Sequence, residues 1–322
     1  MVVYTGGSAS VKYGYETTFG TGVAAVNPFG MNQKVTNLSL SNTRMSFNKL
    51  GQVETTAFAY GQQVGNVGIS FVYDDTQSHK IFQSIYGAIQ NTNTTYPLNA
   101  NQGSATVLTQ PITTEIAVQM GTSVHKLREL TGCVVNSISM STSIGEPLNG
   151  SIDMSFGKEV STTIDGTGAI TAQDAGEQVG SPFTFAHGSF KLSDGSALQP
   201  IGEIQDADIN WTQNSELLYG IGSHYAQGSF KKTLDISGKF KTAWKDSTMV
   251  KHILDQAKST GNSIELGTGI GIELLFTSGS KTMKIELNNI AIGDYSVTGI
   301  EPVEPIFEDI SWKAKTALIT VS

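Results

Sequence analysis

Several things are scarce in this chain. Among 322 residues there is one cysteine, Cys133. A lone thiol forms no internal disulfide and builds no cysteine metal site, and beside Val134 and Val135 it reads as a buried, inert side chain. Charged residues make up only 15%, and no basic block exists: the densest stretch is Lys231–Lys232, then Lys239, Lys241 and Lys245, within a net charge of −8. A protein that grips nucleic acid needs a basic face to displace counterions. Sequence-specific DNA binding is therefore not expected, whereas a surface past which nucleic acid slides is compatible with the composition. No apolar run approaches the roughly 20 residues of a membrane helix. The opening "MVVYTGGSAS" has no basic n-region, so the chain is expected to be soluble, made in the cytoplasm and without a membrane partner.

Catalytic constellations are missing as well. His79, His125, His187, His224 and His252 share no ligand spacing with one another or with an acidic cluster. His79 and His252 are expected at exposed positions on helices. Asp74–Asp75 reads as helix capping, and Asp206 with Asp208 as a solvated strand face, rather than a general acid/base pair. Gly267, Gly269 and Gly271 precede a strand-like Ile272–Phe276, which points to a turn or bulge and not to a dinucleotide cradle. Asp165–Gly166 lacks the other ligands of a calcium loop. The expectation is no catalytic residue, no cofactor, no metal site and no enzyme.

What is present is alternation. Hydrophobic residues make up 39%, with 35 glycines and only 8 prolines, a composition of strands and tight turns. Lys34–Phe47, Val64–Tyr73, Cys133–Ile144 and Gly150–Gly157 each alternate apolar and small polar residues, the signature of one buried and one solvated sheet face. Two segments predict helices. In the first, Asp75 or Thr76 caps a face of Ile81, Phe82, Ile85 and Ile89. In the second, Asp246 or Ser247 caps a face of Val250, Ile253, Leu254 and Ala257, and Gly261 stops it.

The chain also repeats itself. "SIDMSFGKE" (Ser151–Glu159) and "FEDISWKAK" (Phe307–Lys315) carry the same order of Asp, aliphatic, Ser and aromatic. Earlier landmarks recur in sequence. Val35–Thr36–Asn37 answers Ile204–Gln205–Asp206, Leu40 answers Ile209, and Gly51 answers Gly220. Ile69–Ser70 with Phe71 answers Ile236–Ser237 with Phe240, Asn136–Ser137–Ile138 answers Asn288–Asn289–Ile290, and Glu146–Pro147 answers Glu301–Pro302. A spacing near 160 residues is a domain length, far above the roughly 20–50 residues of a solenoid unit. The expected organisation is a first β domain over 1–160, a linker or loose hairpin over 161–182, and a second β domain over 183–322.

Three stretches resemble tail tube proteins of tailed viruses: "YGYETTFGT" (Tyr13–Thr21), the long two-strand unit Val35–Asp75, and the strand, Gly-Glu-Pro and closing strand of Leu130–Glu159. The resemblance implies a mainly β tail-tube fold, a β-sandwich with one flanking helix per domain whose inner sheet joins neighbours into a β-barrel lumen. It covers most of 1–160, and the repeat extends it to the second copy. Relatives of that kind mostly carry one such domain and form stacked six-domain rings, a hollow virion tube through which DNA passes. Two copies here would make a trimeric ring with pseudo-sixfold symmetry. Its implied partners are further copies of itself and other tail proteins (tape measure, terminator, baseplate), with viral DNA only in transit.

Inter-ring contacts are expected from Leu50, Val53, Phe58 and Tyr60 in a loop at about 47–64, and from Leu217, Leu218, Tyr219 and Tyr225 at about 215–229. Asp153, Asp208 and Glu286 are the lumen-facing candidates. An acidic lumen would let DNA slide by repelling its phosphates. Competing readings are another ring-forming tail protein such as a hub or terminator, an outer-membrane barrel, and a carbohydrate-binding sandwich.

Overall fold

The computed structural model describes residues 9–50, 55, 57–86, 94–97, 110–119, 124–165, 180–194, 199–200, 204–244, 270–300 and 305–322. The fold is mainly β. The first half runs through β1 (Ala9–Tyr15), β2 (Asn27–Pro28), β3 (Met31–Phe47), β4 (Ala57–Val72), β5 (Thr94–Pro97), β6 (Ile112–Gln119), β7 (Val124–Ser143), β8 (Asn149–Phe156) and β9 (Lys158–Asp165). The second half runs through β10 (Gly188–Asp194), β11 (Gln199–Pro200), β12 (Ile204–Thr212), β13 (Glu216–Tyr219), β14 (Ala226–Phe230), β15 (Asp235–Ala243), β16 (Ile270–Ser278), β17 (Lys281–Thr298) and β18 (Phe307–Val321).

The two halves are wired alike. In the first, neighbours follow the order β3, β4, β8, β7, β6, β1, β2; in the second, β12, β15, β18, β17, β16, β10, β11. All these pairs are antiparallel. β7 is long enough to serve two layers: its N-terminal part pairs with β6 and β9, and its C-terminal part pairs with β8 and β12. β17 behaves the same way against β16 and β18. β8 and β9 correspond to the single strand β18, with the break at Gly157.

Register makes the correspondence residue-specific. Gly65 faces Phe156 as Gly238 faces Trp312. At each glycine the aromatic ring occupies the space a side chain would need: a Cβ would meet Phe156 at 2.0 Å and Trp312 at 2.4 Å. The β3–β4 ladder shifts register between Val35 and Asn37, and the β12–β15 ladder shifts between Ile204 and Asp206. The turns leaving β7 and β17 each contain a left-handed glycine, Gly145 (φ 80) and Gly299 (φ 81). Two of the matched landmarks need correction. Register equates Ile236 with Gln63, and Phe240 with Val67, rather than with Ile69 and Phe71. It likewise equates Ser137 with Ser296, each facing the shared Asp153 or Asp309, and not with Asn289. Gly51 and Glu301–Pro302 lie outside the described residues.

The core is continuous through both halves. Phe29 lies 4.7 Å from Tyr13 and 6.3 Å from Phe71, tying β1 to β4 across the layers. In the second half Phe190 on β10 meets Phe240 on β15 at 5.0 Å. Phe82 stands edge-on to Trp211 at 5.0 Å and joins one half to the other. Burying such rings removes large apolar areas from water and favours this packing.

The expected first helix is described up to Tyr86, and Ile89 of its expected face lies outside the described residues. A 3₁₀ turn at Ser78–Phe82 leads into one α turn at Gln83–Tyr86. Asp74, not Asp75 or Thr76, closes its entry, with its Oδ1 accepting from the backbone N–H groups of Thr76 (2.8 Å) and Gln77 (2.6 Å). His79 is buried at 7% exposure, contrary to the exposed position expected, because the 3₁₀ turn packs Ser78, His79, Ile81 and Phe82 into the core. The second expected helix, with His252, lies outside the described residues. Ser161–Asp165, expected in the linker, belongs to β9. Gly166–Val179 lies outside the described residues, and Phe183 is pinned to the first half by backbone bonds with Tyr73 and Leu148.

Candidate functional site: a polar sheet face and two hairpins

Strand alternation separates two faces along β3, β4, β8, the C-terminal part of β7, β12, β15, β18 and the C-terminal part of β17. One face is the core, including Ile152, Met154, Phe156, Ile209, Trp211, Ile310 and Trp312. The other carries Ser137, Ser139, Ser141, Ser151, Asp153, Ser155, Asp208, Asn210, Lys239, Asp309, Ser311 and Lys313, all exposed or half-buried.

This polar face is stitched by short side chains. Ser139 and Ser151 hydroxyls lie 2.6 Å apart, and Asn136 donates to Ser155, which donates to Asn66 (2.8 and 2.9 Å). Lys239 Nζ lies 3.5 Å from Asp208 Oδ2 while its N–H donates to Oδ1 at 3.1 Å. Burial pushes the Asp208 carboxyl up from its ordinary range, against the opposing pull of Lys239. Lys313 donates to Asp235 at 2.7 Å. A shallow groove of about 580 Å³ runs over this face between Asp208, Asn210, Lys239, Asp294, Ser311 and Lys313. Exposed pairs of this kind hold little energy, so the face is soft to substitution.

Of the three lumen-facing candidates, Asp153 and Asp208 share one face. Glu286 does not: it sits on the N-terminal part of β17, cross-strand from Glu273 and paired with Lys284 at 3.1 Å. Three clusters escaped sequence reading. Glu16 is one: its carboxylate is buried and accepts from Thr113 Oγ1 (2.8 Å), Gly132 N–H (2.8 Å) and Gly20 N–H (2.7 Å). That contact explains the Glu and Gly of "YGYETTFGT", while Phe19 packs over Gly132 (φ 64). Lys231 is another; it reaches the Ile85 carbonyl, and burial pulls its ammonium down to about 8. The third is the β13–β14 contact described next.

The two expected loops differ from each other. The first is largely strand: β3 and β4 form one hairpin, paired out to Phe47 opposite Ala57. Phe58 and Tyr60 lie on β4 and are exposed, Leu50 is fully exposed, and Val53 lies outside the described residues. Arg44 caps the Phe58 ring at 5.0 Å. In the second half, β13 and β14 form their own small sheet and fold back on the first half. There Tyr219 donates to the Gln63 carbonyl (2.7 Å), and Gln63 N–H donates to the His224 carbonyl (2.9 Å). Leu218 and Tyr225 stay exposed, Leu217 is half-buried, and Lys158 covers the Tyr225 ring at 5.4 Å.

Among the described residues no group of three or more His, Cys, Asp and Glu is placed to hold a metal ion. Fold and surface together define a mainly β protein with one polar sheet face and two hairpins. A family model described as phage tail tube protein matches residues 6–314, through both halves, and the chain belongs to that family. No curated protein matches it.

Proposed function

We propose that the chain is the repeating subunit of a viral tail tube, carrying two tandem copies of one tube domain. Three chains close a ring with pseudo-sixfold symmetry, rings stack through the hairpins, and the polar sheet face lines the lumen through which DNA passes. The observation that carries this reading is the common strand order of the two halves, with matching bulges and glycine–aromatic pairs. Two diverged copies of a ring-forming unit supply two positions per chain, so three chains fill the six positions of a pseudo-sixfold ring. The lumen reading rests on charge. Asp153, Asp206, Asp208, Asp235, Asp294 and Asp309 outnumber Lys34, Lys239, Lys241 and Lys313 along this face, so a DNA backbone is repelled rather than held.

The test is electron microscopy of the purified protein with mass measurement of isolated rings. Hollow tubes with rings of three chains, each of 34.2 kDa, are expected. Six chains per ring would sink the pseudo-hexamer, and rings that never stack would point instead to a hub or terminator.

A further inference from the structure

The junction between the two halves is a strand pairing, and the sequence of that pairing can be carried to the ends of the chain. β12 adds to the edge of β7 antiparallel, with Ile209 opposite Met140, Asn210 opposite Ser139, Trp211 opposite Ile138 and Thr212 opposite Ser137. The contact extends beyond the strand: Gln213 and Asn214 N–H groups both donate to the Asn136 carbonyl (2.7 and 3.2 Å).

Each partner in this seam has a counterpart in the other half. Register equates Asn210, Trp211 and Thr212 of β12 with Ser41, Asn42 and Thr43 of β3. It equates Ser137, Ile138 and Ser139 of β7 with Ser296, Val297 and Thr298 of β17. Among the described residues, β3 pairs only with β4, and this part of β17 pairs only with β18. The open edge shows in burial: Leu40 is 41% exposed, whereas its counterpart Ile209 is 2% exposed. A long unpaired strand is a template for another chain. The two free edges differ, so a heterologous head-to-tail contact satisfies both.

We propose that the β3 edge of one chain pairs with the end of β17 on a second copy, in the register of the internal seam. Ser41 then lies opposite Thr298, Asn42 opposite Val297, and Thr43 opposite Ser296. The occupant is a second copy of this chain because the seam that defines the geometry is already built once within each chain. This inference rests on the ring reading above and adds the edges and register. The two seams are not equal in chemistry. The internal one seals Trp211 against Ile138, and the inter-chain one sets Asn42 against Val297.

Cysteine pairs test it on the assembled full-length protein. Directly opposed cross-strand residues fall within disulfide reach, whereas a four-residue slip does not. The variant Ser41→Cys/Thr298→Cys and the variant Asn42→Cys/Val297→Cys are oxidised mildly and run without reductant. Asn37→Cys/Thr298→Cys serves as the slipped control. Covalent dimers and trimers are expected in at least one on-register variant, well above the control. Mixing chains that carry Ser41→Cys alone with chains that carry Thr298→Cys alone should give the same dimer. Tubes that form while neither on-register variant exceeds the control overturn this seam and leave the tube reading standing. A wild-type protein that forms neither rings nor tubes overturns the tube reading itself. As a second measurement, amides of 40–43 and 296–298 should gain hydrogen-exchange protection on assembly of the unmodified protein; unchanged exchange there also overturns the seam.

Discussion

At the scale of single residues, the chain uses small and titratable groups as packing devices. Gly238 has no space for a methyl: a Cβ would meet the Asp208 carbonyl at 2.2 Å and the Trp312 ring at 2.4 Å. Both neighbours are fixed, one by the backbone and one by the core. Gly238→Ala is expected to cost about 1–3 kcal/mol, the range of overpacked cores, measured as a lower urea midpoint. His79 gives a pH dependence. Burial, and then Lys80 and Lys281, hold its imidazolium down to about 4 from 6.5. The unfolded chain takes up this proton below pH 6.5 and the folded chain does so only near 4. Stability is therefore full above pH 6.5 and declines as pH falls towards 4. The His79 share of the loss between pH 7 and pH 5 is about 2 kcal/mol, by linkage at about 1.4 kcal/mol per unit. His79→Gln should flatten that part of the slope in denaturation curves at the two pH values; an unchanged slope would refute the assignment. Cys133 is buried, its thiol pushed up to about 12, and it stays unreactive while the protein is folded.

At the scale of elements, the hairpins of the two halves differ in shape. β3–β4 runs straight past the core, its distal strands exposed on both faces. The equivalent segment of the second half breaks into β13–β14 and leans on β4 through Tyr219, His224 and Gln63. The straight hairpin leaves Phe47, Leu50, Phe58 and Tyr60 largely exposed, with Arg44 over one face of the Phe58 ring. Large exposed apolar side chains clustered on one protrusion mark a contact surface. Phe58→Ser/Tyr60→Ser is expected to leave the melting temperature within a few degrees of wild type and to shorten or abolish tubes in micrographs while single rings persist. Tubes of normal length would remove these residues from the stacking contact.

At the scale of the whole molecule, strand alternation along the sequence already separates the core face from the outer face. Asp153–Phe156 and Asp309–Trp312 place Asp and Ser on one face and the aliphatic and aromatic residues on the other, as period-two geometry requires. The recurring landmarks at Val35 and Leu40 were legible because bulge and core positions constrain residue type locally. Those at Ile69 and Asn136 slipped, since runs of Ile, Ser and Asn fit several registers equally well. Glu286 lies apart from Asp153 and Asp208 for a related reason: alternation tells which side of a strand a residue occupies, but not which layer that stretch of a long strand joins. The sequence by itself determined faces, strands, turns and the lack of a metal-ligand pattern, because these depend on neighbours two to four residues away. Only the tertiary structure decided the burial of His79, the triple contact of Glu16, the folded-back β13–β14 and the β7–β12 seam. Each of these is made by residues distant in the chain, whose meeting depends on the packing of the whole and leaves no local pattern to read.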